Sequence, residues 1–364
     1  MSGVREFIRQ HIVEMPPYEP IFPLEVLSSE LGVPIDDLIK LDANENPYGP
    51  LPAVKLALAD YESLHIYPDP ESRRIRKILA EHHGVPENNL VVGAGADELI
   101  DLIMRIVIDP GDTMLNCPPT FGMYVFDSAL NKANLVDIPR RDDFSVDVSE
   151  VSNAVEKYQA KLIFLANPNN PDGGMFSEDD FQRLVDLPVL LVIDEAYIQF
   201  STGGRSYIDQ VLKHENMIVL RTFSKWAGLA GLRIGYGVFP QAFVPILMRA
   251  KQPYNVSAAA EEAALVTMRN LPDAEKNITK IIQQRACLHK ALEQIPWLHP
   301  YPTNANFILC RVEKYSAEEL KWYLRKQGIL IRYFDKPGLD DHIRISIGTA
   351  EQVEKIVMCL KGFE

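Results

Sequence analysis

The sequence is poor in cysteine and in long apolar runs. Its four cysteines, Cys117, Cys287, Cys310 and Cys359, are scattered, with no CxxC pair and no histidines at metal-ligand spacing. This pattern argues against a disulfide framework or a zinc site and is typical of reduced thiols in a cytosol-like compartment. No run approaches the ~18 apolar residues of a membrane helix, and the N-terminus lacks an apolar segment of signal-peptide length. We therefore expect no metal and no membrane partner. The expected location is the cytoplasm, or the plastid if this is the processed form of a plant protein.

Positive charge is also scarce. Lysine and arginine number 37 against 50 acidic residues, which gives a net charge of −13 over 364 residues. Such an acidic balance argues against non-specific binding to nucleic acid. It does not exclude an anionic substrate, because a few arginines can bind phosphate inside an acidic protein. The hydrophobic content of 47% is sufficient for a sizeable core, and the length favours two domains or one large α/β unit with an appendage.

Three regions differ in their pattern. Prolines at 16, 17, 20 and 23 interrupt the first stretch, which predicts an N-terminal arm over 1–40 with a helix at 24–31. Residues 41–250 predict a large domain, since short apolar runs alternate with helical patterns such as 97–108. This rhythm implies a mostly parallel sheet flanked by helices, within an α/β fold. Residues 251–364 predict a smaller α+β domain, in which 260–295 forms one long helix or two. The predicted strands are 90–92, 162–165, 189–193, 217–220, 305–312, 329–334 and 342–348.

Polar residues follow four of the predicted strands in the large domain. The ends of these strands are followed by 93-GAGADE-98, by the loop 167-NPNNPDG-173, by Asp194 and by Lys225. In an open parallel sheet, functional side chains collect at the carboxyl ends of the strands. We therefore expect these four segments to meet at one site.

Asp194 and Lys225 are the strongest candidates for chemistry. Asp194 follows five apolar residues, and a carboxylate so near the core needs a partner. A helix N-cap or a structural salt bridge would supply one, and so would a positively charged ligand group such as a pyridinium nitrogen. Lys225, taken alone, reads as a surface charge. Its neighbours Thr222, Ser224 and Arg233 instead suggest an anion site beside a nucleophilic amine.

The remaining segments have ordinary explanations as well. In 93-GAGADE-98, Glu98 stands where a dinucleotide fingerprint requires glycine, but glycines that open a helix after a strand still present N–H groups to a phosphate. We expect Asp97 to cap that helix, with its carboxylate pointing away from a bound phosphate. The 167–173 loop is either a plain turn or a support for Asn170. Phe121 is either a core residue or a flat surface for a planar cofactor.

Taken together, these residues resemble the class I/II pyridoxal-phosphate aminotransferases of the aspartate aminotransferase fold. The Asn-Pro loop, the Asp-x-x-Tyr, and the Ser-Lys followed by Gly-x-Arg occur in this order, and the resemblance runs over nearly the whole chain, from about Tyr18 to the C-terminus. The stretches 42-DANENPYGP-50, 67-YPDP-70, 117-CPPTFGMY-124 and 342-HIRISIGT-349 are similar to the histidinol-phosphate branch of that family. The resemblance implies pyridoxal phosphate as cofactor and fold type I of its transferases. It also implies a homodimer with shared active sites.

The resemblance also implies roles. Lys225 would form the Schiff base and move the substrate proton, Asp194 would pair with the pyridinium nitrogen, and Tyr197 with Asn170 would hold the ring's phenolic oxygen. Asp172 departs from the family, in which threonine is common. The implied phosphate ligands are Ala96 and Asp97 through the backbone, Thr222, Ser224, Arg233 and, from the other subunit, Tyr67. Phe121 would stack on the ring, and the implied substrate-binding residues are Tyr18, Asn44, Arg332 and Arg344.

The implied reaction interconverts L-histidinol phosphate plus 2-oxoglutarate with imidazole-acetol phosphate plus L-glutamate, in histidine biosynthesis. An aromatic amino-acid aminotransferase would share every cofactor residue but would not need an anion grip from Tyr18, Arg332 and Arg344. A decarboxylase of threonine phosphate would share that grip. A regulatory module without catalysis is disfavoured by the intact Lys225, Asp194 and Asn170. For Arg344 itself, the plain alternative is a surface strand residue.

Overall fold

The computed structural model describes residues 3–16 and 22–363, and its strands form two sheets. The strands are β1 (Ile39–Leu41), β2 (Leu90–Gly93), β3 (Thr113–Asn116), β4 (Asn134–Asp137), β5 (Leu162–Ala166), β6 (Leu190–Asp194), β7 (Met217–Thr222), β8 (Gly235–Val238), β9 (Leu298–Pro300), β10 (Phe307–Val312), β11 (Ile329–Tyr333) and β12 (His342–Ser346). The helices are α1 (Gln10–Glu14), α2 (Leu24–Leu31), α3 (Pro52–Ala59), α4 (Arg73–His83), α5 (Ala96–Val107), α6 (Met123–Leu130), α7 (Val148–Tyr158), α8 (Glu178–Val185), α9 (Val244–Ala250), α10 (Ala258–Arg269), α11 (Leu271–Leu292), α12 (Ala317–Lys326) and α13 (Ala350–Lys361).

The larger sheet has seven strands in the order β2-β8-β7-β6-β5-β3-β4. Strands β7, β6, β5, β3 and β4 run parallel, and β8 is antiparallel to both of its neighbours. Strands β5 and β7 are buried along their whole length, as expected for apolar runs covered by helices on both faces. The predicted mostly parallel α/β sheet is confirmed.

Three strands of this sheet were missed by the sequence patterns. The reason is clearest for β8, because two of its four residues are glycine, which weakens strand propensity. A Cβ on Gly235 would lie 2.5 Å from the backbone nitrogen of Ala96. Strand β8 therefore contains glycine where it passes directly against the start of α5.

The long segment between the sheets forms two helices. Helix α10 ends at Arg269, and α11 begins at Leu271 with Pro272 in its first turn. Proline lacks an N–H and is tolerated there, but it would break the interior of one continuous helix. The alternative of two helices over 260–295 is therefore the correct one.

The smaller sheet has the order β1-β11-β12-β10-β9. Strand β1 pairs in parallel with β11, so a segment from the start of the chain joins strands from its end. The predicted helix at 24–31 is α2. The division into an arm over 1–40, a large domain over 41–250 and a small domain over 251–364 stays a prediction. None of the helices in residues 3–16 and 22–363 combines the length and the apolar character that a membrane crossing requires.

Candidate active site

Lys225 lies three residues beyond the end of β7, between the two sheets. Its amine donates a hydrogen bond of 2.9 Å to the carbonyl of Ala43 and lies 6.0 Å from the ring centre of Tyr197. Removal from water lowers the pKa of Lys225 to about 8, and the positive charge of Arg344 acts in the same direction. This lysine is thus no ordinary surface charge, because its lowered pKa makes the neutral, nucleophilic form of the amine more populated near neutral pH than in an exposed lysine.

Asp194 ends β6 and is 5% exposed. One carboxylate oxygen accepts a 2.8 Å hydrogen bond from the hydroxyl of Tyr124, and the other accepts the N–H of Ala196 at 3.0 Å. Within the described part of the chain, no lysine, arginine or histidine forms an ion pair with this carboxylate. Burial raises the pKa of Asp194 to about 6. The alternative of a structural salt bridge is therefore wrong, and the carboxylate lacks a protein cation.

Two asparagine amides point at the hydroxyl of Tyr197. The Nδ2 of Asn44 lies 3.0 Å from that oxygen, and the Nδ2 of Asn170 lies 3.5 Å from it. Burial raises the pKa of the phenol, and the charge of Arg344 and the bond from Asn44 oppose that shift. The structure thus brings Tyr197 and Asn170 together as the resemblance implied. The Asn170 loop is therefore more than a plain turn.

The loop at 42–46 joins the site to the smaller sheet. Asn44 adopts a left-handed backbone with φ of 56°, which asparagine tolerates better than most residues. Its N–H donates to the hydroxyl of Ser346 at 2.9 Å, and that hydroxyl donates to the side-chain oxygen of Asn44 at 3.0 Å. Asn306 donates to the carbonyl of Asn44 at 3.0 Å. Asn44 is therefore fixed by strands β10 and β12 and their flanking residues.

Hydrogen-bond donors cluster around the start of α5. Thr222 and Ser224 are buried, with their hydroxyl oxygens 2.9 Å apart. Gly95 precedes Ala96 with φ of +89°, and a Cβ on Gly95 would lie 2.8 Å from a guanidinium nitrogen of Arg233. Only glycine allows the guanidinium to approach the helix N-terminus this closely. Free N–H groups, hydroxyls and a guanidinium together form a site suited to a phosphate.

The prediction for Asp97 needs correction. Helix α5 has Gly95 at its N-cap, and Asp97 lies inside the first turn. The carboxylate of Asp97 does not cap the helix. It forms an ion pair with Arg233 at 2.7 Å. Within the described residues no side chain caps α5, and Glu98 accepts the N–H of Ala94, which precedes the helix, at 2.6 Å. Asp97 therefore contacts the phosphate-site arginine through its side chain.

Two arginines meet on the smaller sheet. Arg344 on β12 is 6% exposed and lies opposite Arg332 on β11 in the antiparallel register. Both guanidinium carbons lie 5.8 Å from the ring centre of Phe334. Neither arginine has an ion-pair partner among the described residues. Arg344 is buried, which rules out the alternative of a surface strand residue, and burial lowers its pKa to about 10.

Arg344 is also tied to the site around Tyr197. It donates to the side-chain oxygen of Asn170 at 2.5 Å and to the carbonyl of Asp42 at 2.8 Å, and its Nε is buried without a partner. The guanidinium lies 5.2 Å from the ring centre of Phe307, which packs edge-on against Tyr197. Cationic groups that oppose each other across a ladder repel. This pair is therefore suited to an anion shared between the two guanidiniums.

Three predicted residues lie apart from this cluster or outside the described residues. Phe121 is half-buried and meets Tyr124 edge-on, with ring centres 5.6 Å apart. Tyr67 is 79% exposed and stacks on Tyr254 at 4.6 Å. Tyr18 lies outside the described residues. The structure thus gathers most of the predicted site, and Tyr67 lies on the surface beside Tyr254.

Sequence reasoning missed several supporting residues. Tyr124, the donor to Asp194, stands in the quoted 117–124 stretch but carries no signal of its own. Glu195 is fully buried and pairs with Arg221 at 2.8 Å. Glu195 directly follows Asp194 in the chain, and Arg221 directly precedes Thr222. A Glu directly after Asp194 and an Arg directly before Thr222 were visible, but only their pairing explains them.

The donor set fits pyridoxal phosphate. Four kinds of group lie near the carboxyl ends of strands in the larger sheet. They are a nucleophilic amine, a buried carboxylate without a protein cation, a phenol with amide donors and a cluster of donors suited to a phosphate. These groups match in kind the aldehyde, the ring nitrogen, the ring hydroxyl and the phosphate of that cofactor.

Comparison with known proteins agrees with this reading. Residues 36–360 match the family described as aminotransferase class I and II. The chain is 50% identical to the chloroplastic histidinol-phosphate aminotransferase of Nicotiana plumbaginifolia over 98% of this chain and 86% of that protein. It is 48% identical to the histidinol-phosphate aminotransferase of Roseiflexus castenholzii over 99% of each.

The fold agrees as well. The crystal structure of histidinol-phosphate aminotransferase from Sinorhizobium meliloti, in complex with pyridoxal-5'-phosphate, superposes with a TM-score of 0.90 at 26% identity. The match covers 100% of this chain and 99% of that one. The chain therefore belongs to the class I and II aminotransferases that use pyridoxal phosphate and, within them, to the histidinol-phosphate aminotransferases.

Proposed function

We propose that this chain transfers the amino group between L-histidinol phosphate and 2-oxoglutarate, giving imidazole-acetol phosphate and L-glutamate. The observation that carries the substrate choice is the pair of arginines, Arg332 and Arg344, which share Phe334 and have no acidic partner in the described residues. A doubly charged phosphate satisfies two guanidiniums, whereas an aromatic side chain leaves them unpaired. The pair lies beside the Tyr197–Asn170 cluster, so a substrate held there extends toward Lys225.

Pyridoxal phosphate, when bound, supplies an electron sink for negative charge that develops on the substrate carbon. Lys225 would hold the cofactor covalently through Nζ and, once released, carry the substrate proton on the same atom. Its lowered pKa supports both tasks, because the amine alternates between neutral and charged forms near neutral pH. Arg344 belongs to the proposed anion site, and its charge contributes to the lowered pKa of Lys225, the proposed proton carrier.

Asp194 would hold the positive ring nitrogen of the cofactor. Its burial without a protein cation supports this role, since a buried carboxylate is stable only when it is paired. Tyr197 and Asn170 would donate to the ring hydroxyl, and Phe121 would stack on the ring. Asp172, the departure from the family, is buried and holds the Asn170 loop by accepting the N–H of Gly174 at 2.6 Å.

The phosphate of the cofactor would lie at the start of α5. The proposed ligands are the backbone of Ala96 and Asp97 and the side chains of Thr222, Ser224 and Arg233. The ion pair between Asp97 and Arg233 supports this in one respect, because it holds the guanidinium against the helix N-terminus. Asn44 and Tyr18 would complete the substrate side together with the two arginines.

We further propose a homodimer in which Tyr67 reaches the phosphate site of the partner. Its 79% exposure and its stacking on Tyr254 support this, because a large aromatic pair on the surface is typical of an interface. The predicted arm, large domain and small domain would then form one subunit. The proposed location is the cytoplasm, or the plastid for a processed plant form, since the names of the plant relatives say chloroplastic and that of the Roseiflexus relative does not.

The test is glutamate formation from 2-oxoglutarate by purified protein loaded with pyridoxal phosphate. We expect rapid formation with L-histidinol phosphate and slow formation with L-phenylalanine. Turnover with L-phenylalanine alone would place the enzyme in the aromatic branch. Loss of carbon dioxide from threonine phosphate without glutamate formation would identify a decarboxylase.

A further inference from the structure

The environment of Asp194 contains a side chain whose function is not accounted for above. Tyr124 in α6 is fully buried, and its ring stacks on Phe164 of β5 with ring centres 5.1 Å apart. Phe121 also packs edge-on with Tyr124. The phenol is thus packed between ring neighbours in the core, and its hydroxyl donates to one oxygen of Asp194 at 2.8 Å.

We propose that Tyr124 is a positioning residue for Asp194, whose carboxylate it holds in place and keeps ionised. This inference rests on the proposed role of Asp194 toward the ring nitrogen of pyridoxal phosphate. A carboxylate that must pair with a positive ring nitrogen has to be charged and correctly aimed. Tyr124 serves both needs, because a donated hydrogen bond stabilises the ionised form and fixes one oxygen.

The electrostatics around the carboxylate explain why a donor is needed. Burial raises the pKa of Asp194 to about 6. The negative charges of Asp97 in α5 and of Glu195, the next residue in the chain, act in the same direction. The bond from Tyr124 and the N–H of Ala196 oppose these effects. Tyr124 itself stays protonated, because burial and the adjacent carboxylate raise its pKa well above its ordinary value. The donor therefore persists over the working pH range.

The variant Tyr124→Phe removes the donor and keeps the ring stack. A hydrogen bond to a charged group favours the ionised form, so its loss should raise the pKa of Asp194 by about one unit or more. The carboxylate would then take up a proton at a higher pH than in the wild type. The loss of affinity for pyridoxal phosphate in the variant must therefore grow as pH falls toward 6, and it must be smallest above about pH 8.

The measurement is the dissociation constant of pyridoxal phosphate from the full-length apo-protein between about pH 6 and pH 8, with no substrate present. For a one-unit shift, the ratio of variant to wild-type dissociation constants should rise roughly five-fold from pH 8 to pH 6. The matched control is Tyr236→Phe. It removes another buried hydroxyl, which lies 2.8 Å from His83 and makes no contact with Asp194.

The outcomes separate the explanations. A ratio for Tyr124→Phe that is independent of pH, or that Tyr236→Phe reproduces, would overturn the proposal and leave Tyr124 a packing residue. In an Asp194→Asn background the side chain at 194 cannot ionise. The ratio of dissociation constants with and without Tyr124→Phe should then not change with pH. A pH-dependent ratio in that background would also overturn the proposal. Because the readout uses no substrate, it holds even if wild-type protein fails to transaminate L-histidinol phosphate.

Discussion

The arginine pair yields the sharpest prediction for substrate choice. Arg332 lies opposite Arg344 across the β11–β12 ladder, and both guanidiniums lie near Phe334. In the free protein the pair is repulsive, and the charge of Arg332 helps to lower the pKa of Arg344. The perturbation is Arg332→Gln, which keeps a polar side chain of similar reach and removes the charge.

The substitution should affect the stability of the free protein and the binding of the substrate phosphate in opposite directions. Like charges directly opposite each other on a sheet are destabilising, so the substitution should not lower the melting temperature of the free protein. A hydrogen bond between charged groups contributes about 1.5–3 kcal/mol. Loss of the bond to the substrate phosphate should therefore lower kcat/KM for L-histidinol phosphate roughly 10- to 150-fold.

The assay compares kcat/KM for L-histidinol phosphate and L-phenylalanine, together with thermal unfolding of the same samples. The control is Arg311→Gln, on strand β10 of the same sheet, whose exposed guanidinium pairs with Asp341. The control should leave both substrates almost unchanged. An equal loss for both substrates in Arg332→Gln, or a clear drop in its melting temperature, would show that Arg332 supports the fold rather than the phosphate.

Three further predictions concern the reacting amine and its supports. Lys225→Ala should fold, as judged by circular dichroism, and should lose glutamate formation by about a thousand-fold or more. In wild-type apo-protein, the rate of covalent capture of pyridoxal phosphate should rise with pH through a midpoint near 8, because only the neutral Lys225 amine attacks. Glu195→Ala leaves Arg221 buried without its partner and should lower the unfolding free energy by about 3–5 kcal/mol.

Each of these has a distinct contradicting result. Near wild-type turnover in Lys225→Ala would remove Lys225 from the chemistry. A capture midpoint near the ordinary lysine value of about 10.5 would show that burial does not tune the amine. For the ion pair, Glu195→Leu combined with Arg221→Leu should recover much of the stability. A double variant as unstable as Glu195→Ala would mean that packing, not charge, dominates there.

Much of the site was predictable because its chemistry lies at the ends of apolar runs. Asp194 and Lys225 each follow a buried parallel strand, and the topology of such a sheet brings its strand ends to one edge. Strands with continuous apolar runs were recognisable for the same reason. Strand β8 was not, because its Gly235 allows a close approach to α5 that no local pattern records.

The role of Asp97 was mispredicted for a related reason. An acidic residue at the start of a helix is typical of a cap, and local sequence offers no sign of a guanidinium arriving from residue 233. The ion pair exists because β8 packs against the start of α5, which brings Arg233, two residues before the strand, to Asp97. Long-range strand pairing thus overrode a local preference.

The sequence by itself determined which chemical groups this protein has and which strand ends carry them, since periodicity and turn residues act over a few positions. Only the tertiary structure decided which groups meet. Asn44 and Ser346 exchange hydrogen bonds although 302 positions separate them, and Tyr124 reaches Asp194 across 70. Such contacts depend on how helices and sheets pack, and packing is a property of the whole chain.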